Sequence, residues 1–257
     1  MRIGISGYGQ MGVLIRQKAL AWGFAVSEVI DPHGSAAEIT AREISSISTR
    51  PDVIIDFTHP KAVIANIEQC GELKIPVVVG TTGWYDQMGQ VADIVKKAGI
   101  GLVWAGNFSL GVNLFLRLVE TAGLLMDRFP QYDAAVHECH HRYKADSPSG
   151  TAQMIGDIMI RTLGRKSETV SDSPESKIGE HQLHLSSTRI GSVPGMHRLI
   201  FDSEFDTLIL EHRARSREGF AEGALAAAQW IFGREGFYNI NEMMESVIGG
   251  VEDREHL

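Results

Sequence analysis

The sequence predicts an α/β protein, a doubly wound parallel sheet joined to a second α+β domain with a mixed or antiparallel sheet. Three observations predict it. Short apolar, β-branched runs alternate with amphipathic segments through the first hundred or so residues; a glycine-rich turn separates the first run from the first helix; and the texture of the chain changes after Phe108. Short apolar strands between helices are what a parallel sheet covered on both faces requires.

In chain order, residues 2–6 read as a buried strand, 7–12 as a glycine loop and 11–22 as a helix with an apolar face. Residues 24–30 form the second strand, closed by Asp31 and Pro32, and the β-branched run 52–57 forms the third, ended by Thr58, His59 and Pro60. A strand at 76–79 enters the turn Gly80-Thr81-Thr82-Gly83, followed by a helix over 84–98 and a buried strand at 101–104. A long apolar helix over 110–126 then leads into a polar, histidine-rich segment at 137–149, where a second domain begins. Residues 151–163 read as a helix, 171–180 as a polar loop, 184–213 as antiparallel strands with one wet face, and 217–232 as a helix whose small residues allow close packing.

Composition narrows the function. A chain of 257 residues is longer than the usual domain, which holds roughly 100–150, so two domains are expected. Hydrophobic residues at 44% and charged residues at 22% suit a packed globular core. The net charge of -8 opposes a broad interface with a phosphate backbone, so no nucleic-acid partner is expected. Cys70 and Cys139 make neither a disulfide framework nor a four-cysteine metal site, which fits a reducing, cytoplasmic compartment. The N-terminus lacks the apolar core of an export signal, and Arg117 and Glu120 interrupt the apolar stretch 111–125, so no membrane association is expected.

Gly7-Tyr8-Gly9-Gln10-Met11-Gly12 spells G-x-G-x-x-G after a strand and at the opening of a helix, where bare backbone N–H groups can approach a pyrophosphate. Asp31, nineteen residues after Gly12, stands where an acid can bind ribose hydroxyls. The plain alternative is a tight strand-to-helix turn with Asp31 as a turn residue before Pro32. If a nucleotide binds, the acid favours NADH, because a 2′-phosphate beside a carboxylate is repelled unless an arginine compensates. Pro32, His33 and Gly34 supply none; Arg16 or Lys18 could fold toward the site, so use of NADPH stays open.

The second candidate site is richer in alternatives. His137-Glu138-Cys139-His140-His141 matches H-E-x-x-H, the zinc-peptidase pattern on a helix, but the apolar spacing around it fits helix and strand alike, and no third ligand is evident. Against it stands an anion site. His140, His141 and Lys144 supply donors, and Pro148-Ser149-Gly150-Thr151 leads into a helix whose first N–H groups can hold a carboxylate, as a dicarboxylate substrate would need. A solvated basic loop with Ser149 as helix cap is the third reading.

The run from Glu138 through Ala152, read as E-x-H-H-x-x-K-x-D-x-P-S-G-T-A, resembles the signature of the dihydrodipicolinate reductase family. Further matches are the glycine loop, Asp56-Phe57-Thr58, Gly80 to Gly83, Asn107-Phe108-Ser109 with Gly111 and Asn113, Arg189 with Gly191, Gly195-Met196-His197, and His212 through Gly223. The resemblance implies a Rossmann-type dinucleotide-binding domain of residues 1–108 and 219–257, and a substrate-binding and oligomerisation domain of residues 109–218 in a homotetramer. It implies a cofactor held by Gly7 to Gly12, Asp31, Gly80, Thr81, Thr82, Ala105, Gly106, Asn107 and Phe108. Substrate carboxylates would be held by His141, Gly150 and Thr151 with Lys144, and protons moved by His140 and Lys144, without a metal. The implied reaction is NAD(P)H-dependent reduction of 4-hydroxy-tetrahydrodipicolinate to tetrahydrodipicolinate on the diaminopimelate route to lysine. Gln10 stands where many members carry arginine, and no basic residue follows Asp31, which again favours NADH. Cys139 is read as a small buried residue. Another dehydrogenase of a small amino or keto acid, a non-catalytic nucleotide sensor and a zinc peptidase are the competing classes.

Overall fold

The computed structural model of the chain describes residues 1–171 and 177–249, so the polar loop expected at 171–180 lies partly outside the described residues. The chain opens with β1 (Arg2–Ser6), α1 (Gln10–Ala21), β2 (Ala25–Ile30), β3 (Val53–Asp56), α2 (Pro60–Glu72), β4 (Val77–Val79), α3 (Met88–Ala98) and β5 (Gly101–Trp104). Next come α4 (Leu110–Met126), β6 (Asp133–His140), α5 (Gly150–Thr162), β7 (Glu168–Ser171), β8 (Gln182–Arg189), β9 (Met196–Asp202) and β10 (Thr207–Arg213). α6 (Glu218–Ile231), β11 (Gly236–Asn239) and α7 (Ile240–Gly249) follow. Two compact units result, Met1–Asn113 with Glu218–Leu257, and Leu114–Arg217. Among the described residues no helix is long and apolar enough to cross a membrane.

The first unit is built on a six-stranded sheet in the order β11-β5-β4-β3-β1-β2, with every pairing parallel. Strand alternation sends its side chains to two cores. Val53, Ile55, Val78 and Val103 pack with Ile15 and Ala19 of α1 and the alanines of α6. Ile54, Val77, Val79 and Leu102 pack with Val63 and Ile67 of α2 and Val91 and Val95 of α3. Both faces are thus dry, the condition that made these strands legible as unbroken apolar runs. β11 and α7 have no counterpart in the sequence reading. Among the described residues β11 pairs only with β5, and its half-buried residues give neither an apolar run nor a clean alternation.

The second unit carries a five-stranded sheet in the order β10-β9-β6-β8-β7. The expectation of antiparallel strands over 184–213 holds for β9 and β10, which pair antiparallel, and needs correction for β8, which does not pair with β9. β6 lies between them, parallel to β8 and antiparallel to β9. The reason is the 190–195 link, which passes the end of β6, with Ile190 N–H donating to His140 O (2.9 Å) and Arg142 N–H to Gly191 O (3.2 Å). Alternation along β6 buries Ala134, Val136, Glu138 and His140, and α5 approaches the sheet closely at Gly156, where a Cβ would lie 3.1 Å from Thr169 Cγ2. The segment 137–149 read as a polar stretch is therefore strand up to His140.

Candidate active site

In the first unit the glycine loop is a main-chain device. Gly7 has φ +87°, in the left-handed region that favours glycine, and its N–H donates to Ile30 O (2.8 Å). A Cβ on Gly12 would stand 2.1 Å from Gly7 O, so the first turn of α1 folds back against the loop. Gly9, the N-cap, receives no side-chain cap, and a Cβ there would meet nothing within 4 Å. An uncapped first turn with open space before it suits a pyrophosphate. Met11 packs against the core, while Tyr8 contributes its N–H to Asp31 Oδ2 (2.8 Å).

Asp31 closes β2 beside this loop. Its other oxygen accepts the N–H groups of His33 (2.9 Å) and Gly34 (2.7 Å). Burial alone would raise this carboxyl, but the three amides outweigh it and hold it below its ordinary value, ionised at neutral pH. The same bonds make Asp31 the organiser of its turn, as the plainer reading had it. Lys18 is drawn away to Glu218 (2.5 Å) and Glu222 (3.8 Å). The arginine at this turn is Arg42, unmentioned by the sequence reading, whose Nη1 donates to Gly34 O (2.6 Å) and Asp31 O (3.1 Å). Only a chain reversal that leaves no local signature brings it there.

The next strand end is organised by Asp56, which is buried. Its Oδ1 accepts the hydroxyls of Thr81 (2.7 Å) and Thr58 (2.8 Å), and Asn66 Nδ2 donates to Oδ2 (2.7 Å). Burial raises this carboxyl despite those bonds. The Thr81 hydroxyl also accepts Thr58 N–H (2.7 Å), so it is engaged within the protein. A Cβ on Gly80 would overlap the Phe57 ring at 2.2 Å. Ala105 and Phe108 are each 2% exposed and pack in the same core as the α6 alanines. Asn107 Oδ1 accepts Ser109 N–H (2.8 Å) at the start of α4, and a Cβ on Gly106 would lie 3.1 Å from the Tyr85 hydroxyl. Of the expected cofactor residues, then, the glycines, Tyr8 and Asp31 gather at the β1–α1 turn, and Gly80 to Thr82 begin the turn after β4.

In the second unit, β6 decides between the readings of the histidines. On a strand, His137 and Glu138 face opposite ways, so the helical spacing that H-E-x-x-H needs does not exist here. His137 Nδ1 instead lies 2.9 Å from Ser186 Oγ. Cys139 shares that side and is half-buried, a correction to the reading of it as buried. The other face collects Glu138 and His140 from β6, Arg189 from β8 and His197 from β9, the last directly opposite Glu138. Glu138 is completely buried; Oε2 accepts from His140 Nδ1, and Oε1 pairs with Arg189 Nη2 (2.8 Å) and accepts Ser149 N–H (3.3 Å). Ser149 Oγ lies 3.1 Å from His197 Nε2 and accepts Ala152 N–H (3.3 Å), capping α5. Glu138, His140 and His197 are spaced closely enough for a metal. The carboxylate they share already serves an arginine, and Lys144 adds a second cation, so the donor set suits an anion better.

The electrostatics follow from that enclosure. Burial pushes Glu138 up, but Arg189 and His140 outweigh it and hold the carboxyl below its usual range. Burial pushes His140 down by more than Glu138 raises it, with Lys144 and Arg189 adding to the fall. His197 is pushed down to about 4 by burial and then by His140, so it is neutral at neutral pH. Lys144 Nζ pairs with Asp146 Oδ1 (2.7 Å), and the Asp146 carboxyl, lowered first by Lys144, also receives the Gly150 N–H. An internal carboxylate thus sits on a lysine and on the first turn of α5, the groups the resemblance assigns to substrate carboxylates. Gly150 has open space around its Cα, and His141 keeps an enclosed Nδ1 without a partner.

Set against known proteins, residues 1–108 match the family model "Dihydrodipicolinate reductase, N-terminus" and residues 111–244 match "Dihydrodipicolinate reductase, C-terminus". The chain is 33% identical over 247 residues to a 4-hydroxy-tetrahydrodipicolinate reductase of Christiangramia forsetii, covering 96% of this chain and 99% of that protein. It is 35% identical over 248 residues to the protein of the same name from Methanoregula boonei, covering 92% and 94%. Among solved structures, a dipicolinate-bound dihydrodipicolinate reductase from Paenisporosarcina sp. TG-14 superposes with a TM-score of 0.77 over 95% of this chain and 99% of that one, at 22% identity.

Proposed function

The chain belongs to the dihydrodipicolinate reductase family, and from that premise we propose that it reduces 4-hydroxy-tetrahydrodipicolinate to tetrahydrodipicolinate with a reduced nicotinamide nucleotide, on the diaminopimelate route to lysine. The observation that carries the reading is the union in one chain of an uncapped glycine turn beside an ionised Asp31 and a cation-rich cluster at the start of α5. When bound, the reduced nicotinamide supplies a hydride to the conjugated ring imine that remains as the substrate hydroxyl leaves as water. Gly7 to Gly12 receive the pyrophosphate and Asp31 the ribose hydroxyls, with main-chain contacts from Gly80 to Thr82 and Ala105 to Phe108. His141, Lys144, Gly150 and Thr151 hold the two substrate carboxylates, displacing Asp146 from Lys144. His140 Nε2 and Lys144 Nζ deliver the proton that the resulting enamine carbon takes up.

NADH is the preferred cofactor in this reading, because the ionised Asp31 would repel a 2′-phosphate; Arg42 beside the same turn softens that repulsion and leaves NADPH usable. The unpaired Cys70 and Cys139 support a cytoplasmic setting. Assembly as a homotetramer is supported by Leu208 and Ile209 exposed on β10, an edge strand. The test is oxidation of NADH and, separately, NADPH, with substrate generated in place by the aldolase that condenses pyruvate with aspartate semialdehyde. Aldolase-dependent oxidation, faster with NADH, is expected. Nucleotide binding without oxidation would point to a different dehydrogenase or a sensor.

A further inference from the structure

His140 is assigned above to proton transfer, and the reading that follows rests on that assignment. What surrounds its ring is not symmetric. Nδ1 lies in hydrogen-bond contact with a carboxylate oxygen of Glu138, two residues earlier on the same face of β6, while Nε2 faces Gly195, where a Cβ would stand 3.0 Å from that nitrogen. Gly195, at φ +157°, opens the turn into β9, and its missing Cβ leaves a gap beside Nε2 that any side chain there would fill. His140 is 7% exposed, so little else of the ring is available. Glu138 is in turn fixed from behind, by Arg189 Nη2 at 2.8 Å and Ser149 N–H at 3.3 Å, and Arg189 is itself tied to Asp146 O at 2.5 Å.

We propose that Glu138 is the positioning residue of His140: it fixes the ring in the Nδ1–H form, turns Nε2 toward the space at Gly195, and stabilises the imidazolium that carries the proton to the substrate. An ionised carboxylate accepts but cannot donate, so the neutral histidine beside it holds its hydrogen on Nδ1 and its lone pair on Nε2. When Nε2 takes up a proton, the positive ring lies against a carboxylate that stays ionised, as in other buried acid–histidine pairs. Giving that proton to carbon returns the ring to the Nδ1–H form, and water resupplies Nε2. The charged and titratable groups facing His140 are Glu138 on its own strand, Lys144 beyond the strand, Arg189 on β8 and His197 on β9, with His212 of β10 next to His197 in turn. Glu138 is the one negative charge in that set, opposed by Lys144 and Arg189, so its removal strips the imidazolium of its counter-charge.

Glu138→Gln in the full chain tests this. Expected are a fall in kcat of about tenfold or more at neutral pH, a substrate KM within about twofold of the parent, and a descending alkaline limb of kcat/KM moved about one pH unit lower. Glu138→Asp, which keeps the charge, should restore most of the pH profile. An unmoved limb, or a variant whose whole effect is on KM, overturns the inference. Should Glu138→Gln not fold, the parent protein still decides: the long-range ¹⁵N spectrum of its histidine rings, assigned by comparison with His140→Gln, is expected to show His140 protonated on Nδ1. A proton on Nε2 alone in the neutral ring overturns it. If the parent fails to oxidise either nucleotide with the aldolase-generated substrate, the reaction is wrong while the ring spectrum still tests the pairing.

Discussion

The turn between β1 and α1 and the cluster around His140 both suit a negatively charged ligand, and they are built from different materials. The turn uses main chain: glycines that admit a ligand, amides at a helix start, and an acid fixed by the N–H groups of Tyr8, His33 and Gly34. The cluster uses side chains from three strands, Glu138 and His140 on β6, Arg189 on β8 and His197 on β9. A main-chain site has no group that titrates near neutral pH apart from what it recruits. A side-chain site of buried imidazoles carries rings whose protonation its enclosure controls. The comparison teaches that substitutions in the turn should act through shape and binding, and substitutions in the cluster through charge and protons.

The largest expected effect separates the two at once. Lys144→Ala removes a cation that pairs with Asp146 and faces His140. Turnover should fall by about 10²- to 10⁴-fold, the range for loss of a positioned acid or base. NADH affinity, followed by the fluorescence of the bound nucleotide, should stay within about twofold. Normal turnover would remove Lys144 from the chemistry and dissolve the contrast.

Next in size is an acid effect confined to the cluster. Unfolded, His197 titrates near 6.5; folded, it is pushed down to about 4. The unfolded chain therefore binds more protons between those values, and the stability that the neutral ring contributes is complete above pH 6.5 and lost as pH falls toward 4. A shift of that size corresponds to about 3 kcal/mol. Urea unfolding at steps between these pH values should show a steeper loss in the parent than in His197→Asn; parallel slopes would mean that the ring titrates normally in the fold.

Much of this was legible in the chain, and the turn more so than the cluster. Gly7, Gly9, Gly12 and Asp31 sit within 25 residues and owe their roles to local backbone geometry, which spacing encodes. So do β1 to β5, whose two dry faces demand continuous apolar runs. The cluster joins residues up to 59 positions apart through a sheet whose order, with β6 between β8 and β9, no local pattern specifies. Glu138, Arg189 and His197 were named only as matches to a family signature or as part of a zinc pattern, and their mutual contact had no local trace. Arg42 escaped for the same reason, since it reaches the Asp31 turn from beyond β2. The zinc reading failed on secondary structure: on a strand, successive residues face opposite sides, so His137 and Glu138 part company, and no helical turn brings His141 over His137.

A third test probes shape alone. An added methyl at Gly12→Ala would meet Gly7 O at 2.1 Å, between two rigid pieces of backbone, so the loop or the first turn of α1 must shift. Overpacking of this kind costs about 1–3 kcal/mol, readable as a lower Tm, and nucleotide affinity should fall with it. The pH profile of kcat at saturating nucleotide should not move, because no titratable group of the cluster is touched. A displaced profile would show that the turn and the cluster are not the separate devices their construction suggests.

The smallest expected effect lies where the main-chain site recruits side chains, at Asp31 and Arg42. Asp31→Asn keeps an oxygen for the loop amides and removes the charge, so the ratio of kcat/KM for NADH to that for NADPH should fall by about tenfold, equivalent to about 1.4 kcal/mol. Arg42→Ala should move the same ratio the opposite way, by less, because the guanidinium is exposed and screened, and its Nη1 is already committed to the carbonyls of Gly34 and Asp31. The signs matter more than the sizes. Opposite signs would make the turn a balance of two charges, with selectivity set by side chains on a frame whose binding is set by backbone. If neither substitution moves the ratio, Asp31 serves the turn alone through its accepted amides, and the main-chain site would be complete without any charge of its own.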